Sequence, residues 1–207
     1  MFETIRENWQ SEWRSPLFRK KLIAGAVLVT VILSFFPLFF QYIEKRNGTL
    51  LHDVVLQYLP AFNVSTPIFI VIWAISIFAL FRALQDPPIL MHFLWAYALL
   101  CVARMASIFF IPLEPPLNLL PLVDPISNAF YGRVFITKDL FFSGHTATVF
   151  LIFLCLKKKT DRALALIATC VVGILLMVQH VHYTVDVLMA PLFTAIIDYI
   201  ARKIFNV

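Results

Sequence analysis

Residues 22–43 read LIAGAVLVTVILSFFPLFFQYI, 22 consecutive positions without a charged side chain. Wound as a helix at about 1.5 Å per residue, the run is about 33 Å long, and a bilayer's hydrocarbon core is about 30 Å thick. The rest of the chain has the same character. Of its 207 residues, 61% are hydrophobic and only 14% charged, 21 are phenylalanine, and the mean hydropathy is +0.86. Soluble domains sit near 45–50% apolar and about 25% charged, so a water-soluble fold would leave large apolar faces in solvent. The composition therefore calls for an all-α, polytopic membrane protein. The net charge of +5 is spread without a dense basic stripe and does not suggest nucleic acid.

Five further apolar segments follow: about Pro67 to Ala83, Ile89 to Ile111, Ser143 to Leu156, Ala163 to Gln179 and Tyr183 to Ile200. Each can be a helix, which satisfies its own backbone hydrogen bonds in lipid, and together they predict a six-helix bundle. The organisation expected is an N-terminal amphipathic interfacial segment over residues 1–19 and a single catalytic membrane domain over 20–207. In the first segment Phe2, Ile5, Trp9, Trp13 and Leu17 recur at the three- and four-residue steps of one helix face. That face suits a membrane interface or the side of the bundle, and contact with the bundle is the simpler expectation. No cleavable signal peptide is evident. Cys101, Cys155 and Cys170 lie in apolar runs without metal-ligand spacing and read as packing residues.

Basic residues orient the chain. Twelve of the 17 fall on one side of the expected spans: before the first, after the second, between the fourth and fifth, and after the sixth. Both termini are then expected in the cytosol. The loops from about Gln41 to Thr66 and from about Pro112 to Phe142 face the periplasm or a lumen. A bacterial inner membrane is the favoured setting.

Ionisable groups inside a bilayer are costly and mark function by default. Here they are Arg104, His145, His180, His182 and Asp186, whereas His52 and His92 read as interfacial or packing residues. Counted from the basic ends of their helices, His145 lies about 18 Å up, Arg104 and Asp186 about 24 Å, and His182 about 30 Å. Separate helices thus bring their ionisable groups to one depth. Ser143-Gly144-His145-Thr146 opens a helix, with Ser143 as N-cap and Gly144 allowing close approach of a ligand. His182 and Asp186 stand four apart and share a face. The aspartate would fix the ring's tautomer and stabilise an imidazolium. Two helix N-termini aimed at one pocket favour an anion such as phosphate. The set points to phosphoryl chemistry, with His182 as nucleophile or base, His145 as proton donor and Arg104 balancing charge. A zinc site of two histidines and an aspartate and a purely structural polar network remain the alternatives.

At these residues the chain resembles the sphingomyelin synthase family, within the type 2 phosphatidic acid phosphatase superfamily. The family's Asp-Tyr-Leu-Tyr-Ser-Gly-His-Thr is similar to Asp139-Leu140-Phe141-Phe142-Ser143-Gly144-His145-Thr146. Its His-Asp-His-Tyr-Thr-Val-Asp is similar to His180-Val181-His182-Tyr183-Thr184-Val185-Asp186, and its third-span arginine is similar to Arg104. The resemblance implies a catalytic triad of His145, His182 and Asp186, with Arg104, Asp139, Ser143, Gly144 and His180 around the substrate. It implies no metal and no cofactor. The activity it implies is transfer of a phospho-headgroup from a glycerophospholipid to a lipid alcohol, ceramide or diacylglycerol, with phospholipase C-type hydrolysis as a side reaction.

The chain departs from the family pattern at Thr137 and Lys138, which stand for a cysteine and a glycine, and at Val181, which stands for an acidic residue. Arg133 and Lys138 near the entrance raise the idea of a more anionic headgroup, although solvated loop charge is the plainer reading. The principal rival is a lipid phosphate phosphatase. The chain lacks that group's Lys-x6-Arg-Pro segment and the arginine ahead of its nucleophilic histidine, and a monoester needs more positive charge than a diester. A non-catalytic lipid-binding protein is the third reading.

Overall fold

The computed structural model describes residues 2–123 and 136–207. Within them the chain is helical: α1 (Phe2–Arg14), α2 (Pro16–Glu44), α3 (Val54–Tyr58), α4 (Ser65–Gln85), α5 (Pro87–Phe110), α6 (Gly144–Cys155), α7 (Lys159–Val178) and α8 (Thr184–Phe205). Five of these, α2, α4, α5, α7 and α8, are long and apolar enough to cross a membrane. Their outer faces carry the signature of lipid contact. Val27, Val31 and Leu38 on α2, Ile70 and Ile77 on α4, Ile167 and Ile174 on α7, and Leu188 and Leu192 on α8 are each more than half exposed. They recur at helical steps, so each helix turns one apolar stripe outward. The protein is an integral, multi-pass helical bundle.

The fourth expected span takes a different form. α6 has 12 residues, about 18 Å of helix, too short for the hydrocarbon core. It need not span, because α4, α5, α7 and α8 all pack around it. Ala147, Val149, Leu151, Ile152 and Cys155 are buried. The short helix is thus the axis of the bundle. Irregular backbone at membrane depth is tolerated only where protein surrounds it, and the strand of chain leading into α6 meets that condition. Arg104 donates to the Phe142 carbonyl, and Ser107 Oγ donates to that of Phe141 at 2.8 Å.

The ends of the helices have local causes. Ser15 caps α2 and is followed by Pro16 at its first position. Pro87 and Pro88 begin α5 directly after Asp86, which separates it from α4. α1 docks where α4 ends: Asn8 Nδ2 donates to the Gln85 carbonyl at 2.9 Å and Trp9 Nε1 to that of Leu84 at 2.8 Å. These side chains occupy carbonyls that a helix C-terminus leaves unpaired. The N-terminal helix therefore lies against the bundle.

Two ends of the bundle differ in chemistry. The basic end carries α1, Arg82, Lys157–Lys159 and Arg202, and is stitched by Arg82–Asp161 at 2.8 Å and Lys157–Asp86 at 2.5 Å. The loop end carries α3 and the connections after α2, α5 and α7. There Thr49 bridges the first two connections, its N donating to the Pro112 carbonyl at 2.9 Å and its carbonyl accepting from Glu114 N at 3.0 Å. Gly48 makes this approach feasible, since a Cβ there would lie 2.5 Å from the Leu113 carbonyl carbon.

Candidate active site

The amino ends of α6 and α8 meet at the loop end. Ser143, the N-cap of α6, accepts from Thr146 N at 3.4 Å and from Thr146 Oγ1 at 3.1 Å. Its own backbone N–H donates to the Asp186 carbonyl in the first turn of α8 at 3.0 Å. A single main-chain bond therefore joins the two segments that the histidine motifs occupy.

Asp186 organises the α8 side. Its Oδ2 accepts from Tyr183 N at 3.2 Å, closing the helix end, and faces His182 Nδ1 at 3.4 Å. Asp186 is fully buried, His182 is 2% exposed, and Asp186 Oδ1 is buried without a hydrogen-bond partner among the described residues. A carboxylate in such surroundings keeps its strongest interaction for the adjacent ring, because low dielectric magnifies each remaining contact. The Tyr183 hydroxyl donates to the Glu114 carbonyl at 2.8 Å and accepts from Leu51 N at 3.2 Å, which anchors this helix end to both other connections. On the α6 side His145 is partly exposed and packs edge-on against Phe69, with ring centroids 6.0 Å apart.

Arg104 reaches the same place from α5. It donates to the Phe142 carbonyl and forms an ion pair with Asp139. Gly144 is what admits it. A Cβ at 144 would stand 2.7 Å from the guanidinium carbon and 2.9 Å from Nη1. The close approach foreseen for a ligand at this glycine is thus made by the protein's own arginine. Asp139, expected at the substrate, serves here as Arg104's counter-ion, and its side chain is 30% exposed.

His180 has a different setting from the other two histidines. It is buried with φ 56°, and its Nδ1 and Nε2 face the Leu117 and Leu59 carbonyls at 3.0 and 2.9 Å. Both ring nitrogens hold loops. Beside it Gln179, which sequence reasoning passed over as a span end, is fully buried and collects four partners. Its Nε2 donates to Ser65 Oγ at 2.7 Å, the Pro121 carbonyl at 2.9 Å and the Leu120 carbonyl at 3.4 Å, while Oε1 accepts from Val64 N at 3.1 Å.

Two more residues were missed. Asp53 caps α3 through Val55 N and Leu56 N, and its other contacts are with the start of α8: Thr184 N at 2.6 Å and Thr184 Oγ1 at 3.0 Å. Partial burial opposes ionisation of Asp53, but these hydrogen bonds outweigh it and hold the carboxyl below its ordinary range. Glu44 accepts from Thr137 N, Thr137 Oγ1 and Lys138 N at 2.6–3.0 Å. Lys138 itself is neither solvated nor pointed at a ligand. Its Nζ donates to the Arg46 carbonyl at 2.5 Å and pairs with Glu114 at 2.9 Å, and the lysine keeps the Glu114 carboxyl below its ordinary range. Arg133 lies outside the described residues.

Residues 138–202 match the family model described as PAP2 superfamily C-terminal. No curated protein matches the chain. The matched stretch contains Asp139, Ser143, Gly144, His145, His180, His182 and Asp186. It supports the type 2 phosphatidic acid phosphatase superfamily, and with it a membrane lipid phosphatase or phosphotransferase acting on lipid substrates in the bilayer.

Proposed function

We propose that the protein is a phosphotransferase of sphingomyelin synthase type, moving a phospho-headgroup from a glycerophospholipid to the hydroxyl of ceramide or diacylglycerol. The observation that carries the reading is the Ser143–Asp186 main-chain bond. It sets two helix amino ends side by side, with the His182–Asp186 pair on one and His145 on the other. Free N–H groups at helix starts favour an anionic phosphoryl group.

In this reading Asp186 holds His182 by Nδ1, leaving Nε2 to attack phosphorus. The N–P bond forms as the P–O bond to diacylglycerol breaks, and His145 protonates the departing oxygen. The acceptor alcohol then attacks the phosphohistidine, gives its proton to His145, and the N–P bond breaks to restore His182. Arg104 and the α6 amino end offset charge on the phosphoryl oxygens.

The electrostatics favour a diester over a monoester. Arg104 already has Asp139 as counter-ion, and Lys138 is neutralised by Glu114. Among the described residues at the site, little uncompensated positive charge is left for a phosphate dianion. His180 and Gln179 act as fasteners of the surrounding loops. By the positive-inside argument, the site faces the periplasm or a lumen and both termini the cytosol.

Purified protein in lipid nanodiscs, supplied in turn with defined phospholipids and with ceramide or diacylglycerol, tests the proposal by mass spectrometry. New headgroup-bearing lipid is expected, and His182→Ala abolishes it while leaving lipid binding intact. Free phosphate from phosphatidic acid with no transfer product would establish a phosphatase instead. Lipid binding without turnover on any substrate would establish a non-catalytic protein.

A further inference from the structure

At the basic end, about 18 Å along α8 from Asp186, three buried side chains from three helices converge. They are His92 of α5, Cys155 at the last position of α6 and Asp198 of α8. One nitrogen, sulfur or oxygen atom from each lies within 4.8 Å of the other two. We infer that His92, Cys155 and Asp198 form a metal site for a divalent cation of zinc type, separate from the phosphoryl chemistry and independent of it.

The donor set is the first reason. Thiolate, imidazole and carboxylate together suit zinc, which binds them at about 2.3, 2.0–2.1 and 2.0–2.2 Å. Tetrahedral angles then require donors about 3.4–3.6 Å apart. His92 Nε2 and Asp198 Oδ1 are now 2.5 Å apart, so a cation between them needs an opening of about 1 Å. Side-chain rotation supplies that without moving helices.

The surroundings are the second reason. Arg202 Nε donates to Asp198 Oδ2 at 2.8 Å, fixing the carboxylate by its far oxygen and leaving Oδ1 turned to His92. Arg202 also donates to the Leu154 carbonyl at 3.0 Å, which ties the end of α6 into the same group. Carboxylate ligands of metals are held by outer hydrogen bonds of this kind. Arg202 is 46% exposed, so its charge remains in contact with solvent. The three donor residues are each 5–6% exposed, and Ile89, Leu151, Ile197 and Ala201 close an apolar shell around Cys155. Binding releases the Cys155 thiol proton to water and requires the neutral His92 ring to keep its proton on Nδ1. The cation would pin α5, α6 and α8 together at the end opposite the histidine motifs.

Equilibrium dialysis of the purified protein against zinc, followed by elemental analysis, is the test. About one zinc per chain is expected in the wild type and in Cys101→Ser and Cys170→Ser, with less than a tenth of that in Cys155→Ser and His92→Gln. Cobalt in place of zinc should give a thiolate charge-transfer band that vanishes in Cys155→Ser. Zinc at a hundredfold excess over its Kd should raise the wild-type melting temperature by about 5–10 °C and leave Cys155→Ser unmoved. Only trace metal in the wild type, or a full equivalent in Cys155→Ser, overturns the site and leaves His92–Asp198 as a polar clamp. Should Cys155→Ser fail to fold, the cobalt band of the wild type decides alone.

Discussion

At the scale of single residues, the position of Arg104 depends on a missing methyl group. Its guanidinium occupies the space beside Gly144, so Gly144→Ala puts a carbon 2.7 Å from the guanidinium carbon, well inside van der Waals contact. The side chain is flexible, but its burial and its bonds to the Phe142 carbonyl and Asp139 limit where it can go. Overpacking of this kind costs about 1–3 kcal/mol. Gly144→Ala is therefore expected to fold, with a lower melting temperature, and to lose most turnover because Arg104 leaves the proposed phosphoryl site. His145→Ala removes the proposed proton donor and should lower turnover about 10²–10⁴-fold, with the melting temperature little changed because His145 is partly exposed. A Gly144→Ala enzyme with wild-type turnover would show that Arg104 has no part in the reaction.

At the scale of elements, Asp53 connects the short α3 to the start of α8, the helix that carries Asp186. Its carboxyl is held below its ordinary range by the backbone and side chain of Thr184 and by the α3 backbone, against an opposing effect of burial. A depressed carboxylate pKa adds stability above the unfolded value of about 3.9, and loses it as pH falls through the folded value. The clamp is thus complete from about pH 5 upward and fails only in stronger acid. Asp53→Asn should flatten the acid limb of a melting-temperature profile below about pH 4. At pH 7 it should cost about 1–3 kcal/mol, because asparagine still caps α3 but lacks the second oxygen that accepts from Thr184 N. The apolar helices were legible from sequence to within a few residues at most ends, because lipid demands long runs with internally paired backbones. α3 and its clamp were not. Asp53, Glu44 and Gln179 act on backbone N–H and carbonyl groups of distant loops, and every residue type has those groups. Only burial reveals such a polar residue. His92 was read as a packing residue for the same reason, since its partner Asp198 lies 106 positions away.

At the scale of the whole molecule, polarity is divided between the two ends of the bundle. Gln179 and His180 fasten the loop end: every side-chain bond Gln179 makes reaches a segment outside α7, and its carbonyl accepts from Leu120 N at 3.2 Å as well. Gln179→Leu keeps the volume but strands Val64 N and takes one donor each from Ser65 Oγ and the Pro121 carbonyl, which keep Asn63 and each other. Each stranded buried group costs about 1–3 kcal/mol, so thermal unfolding should shift down by roughly 2–4 kcal/mol in all. The site residues themselves would stay in place.

Orientation is the remaining property of the whole molecule, and it is set by the distribution of charge. Lys157–Lys159, Arg202 and the α1 arginines share the basic end with both termini, while Arg46 and Lys138 at the loop end are partly spent on carbonyls and Glu114. The positive-inside rule then puts the basic end in the cytosol. Tyr58, 85% exposed at the last position of α3, and Lys158, exposed between α6 and α7, report the two sides. In a background with Cys101→Ser and Cys170→Ser, which keeps the buried Cys155, Tyr58→Cys should react with a membrane-impermeant maleimide on intact cells. Lys158→Cys should react only after permeabilisation. The reverse pattern would put the histidine motifs in the cytosol, and donor and acceptor lipids would then have to come from the cytosolic leaflet.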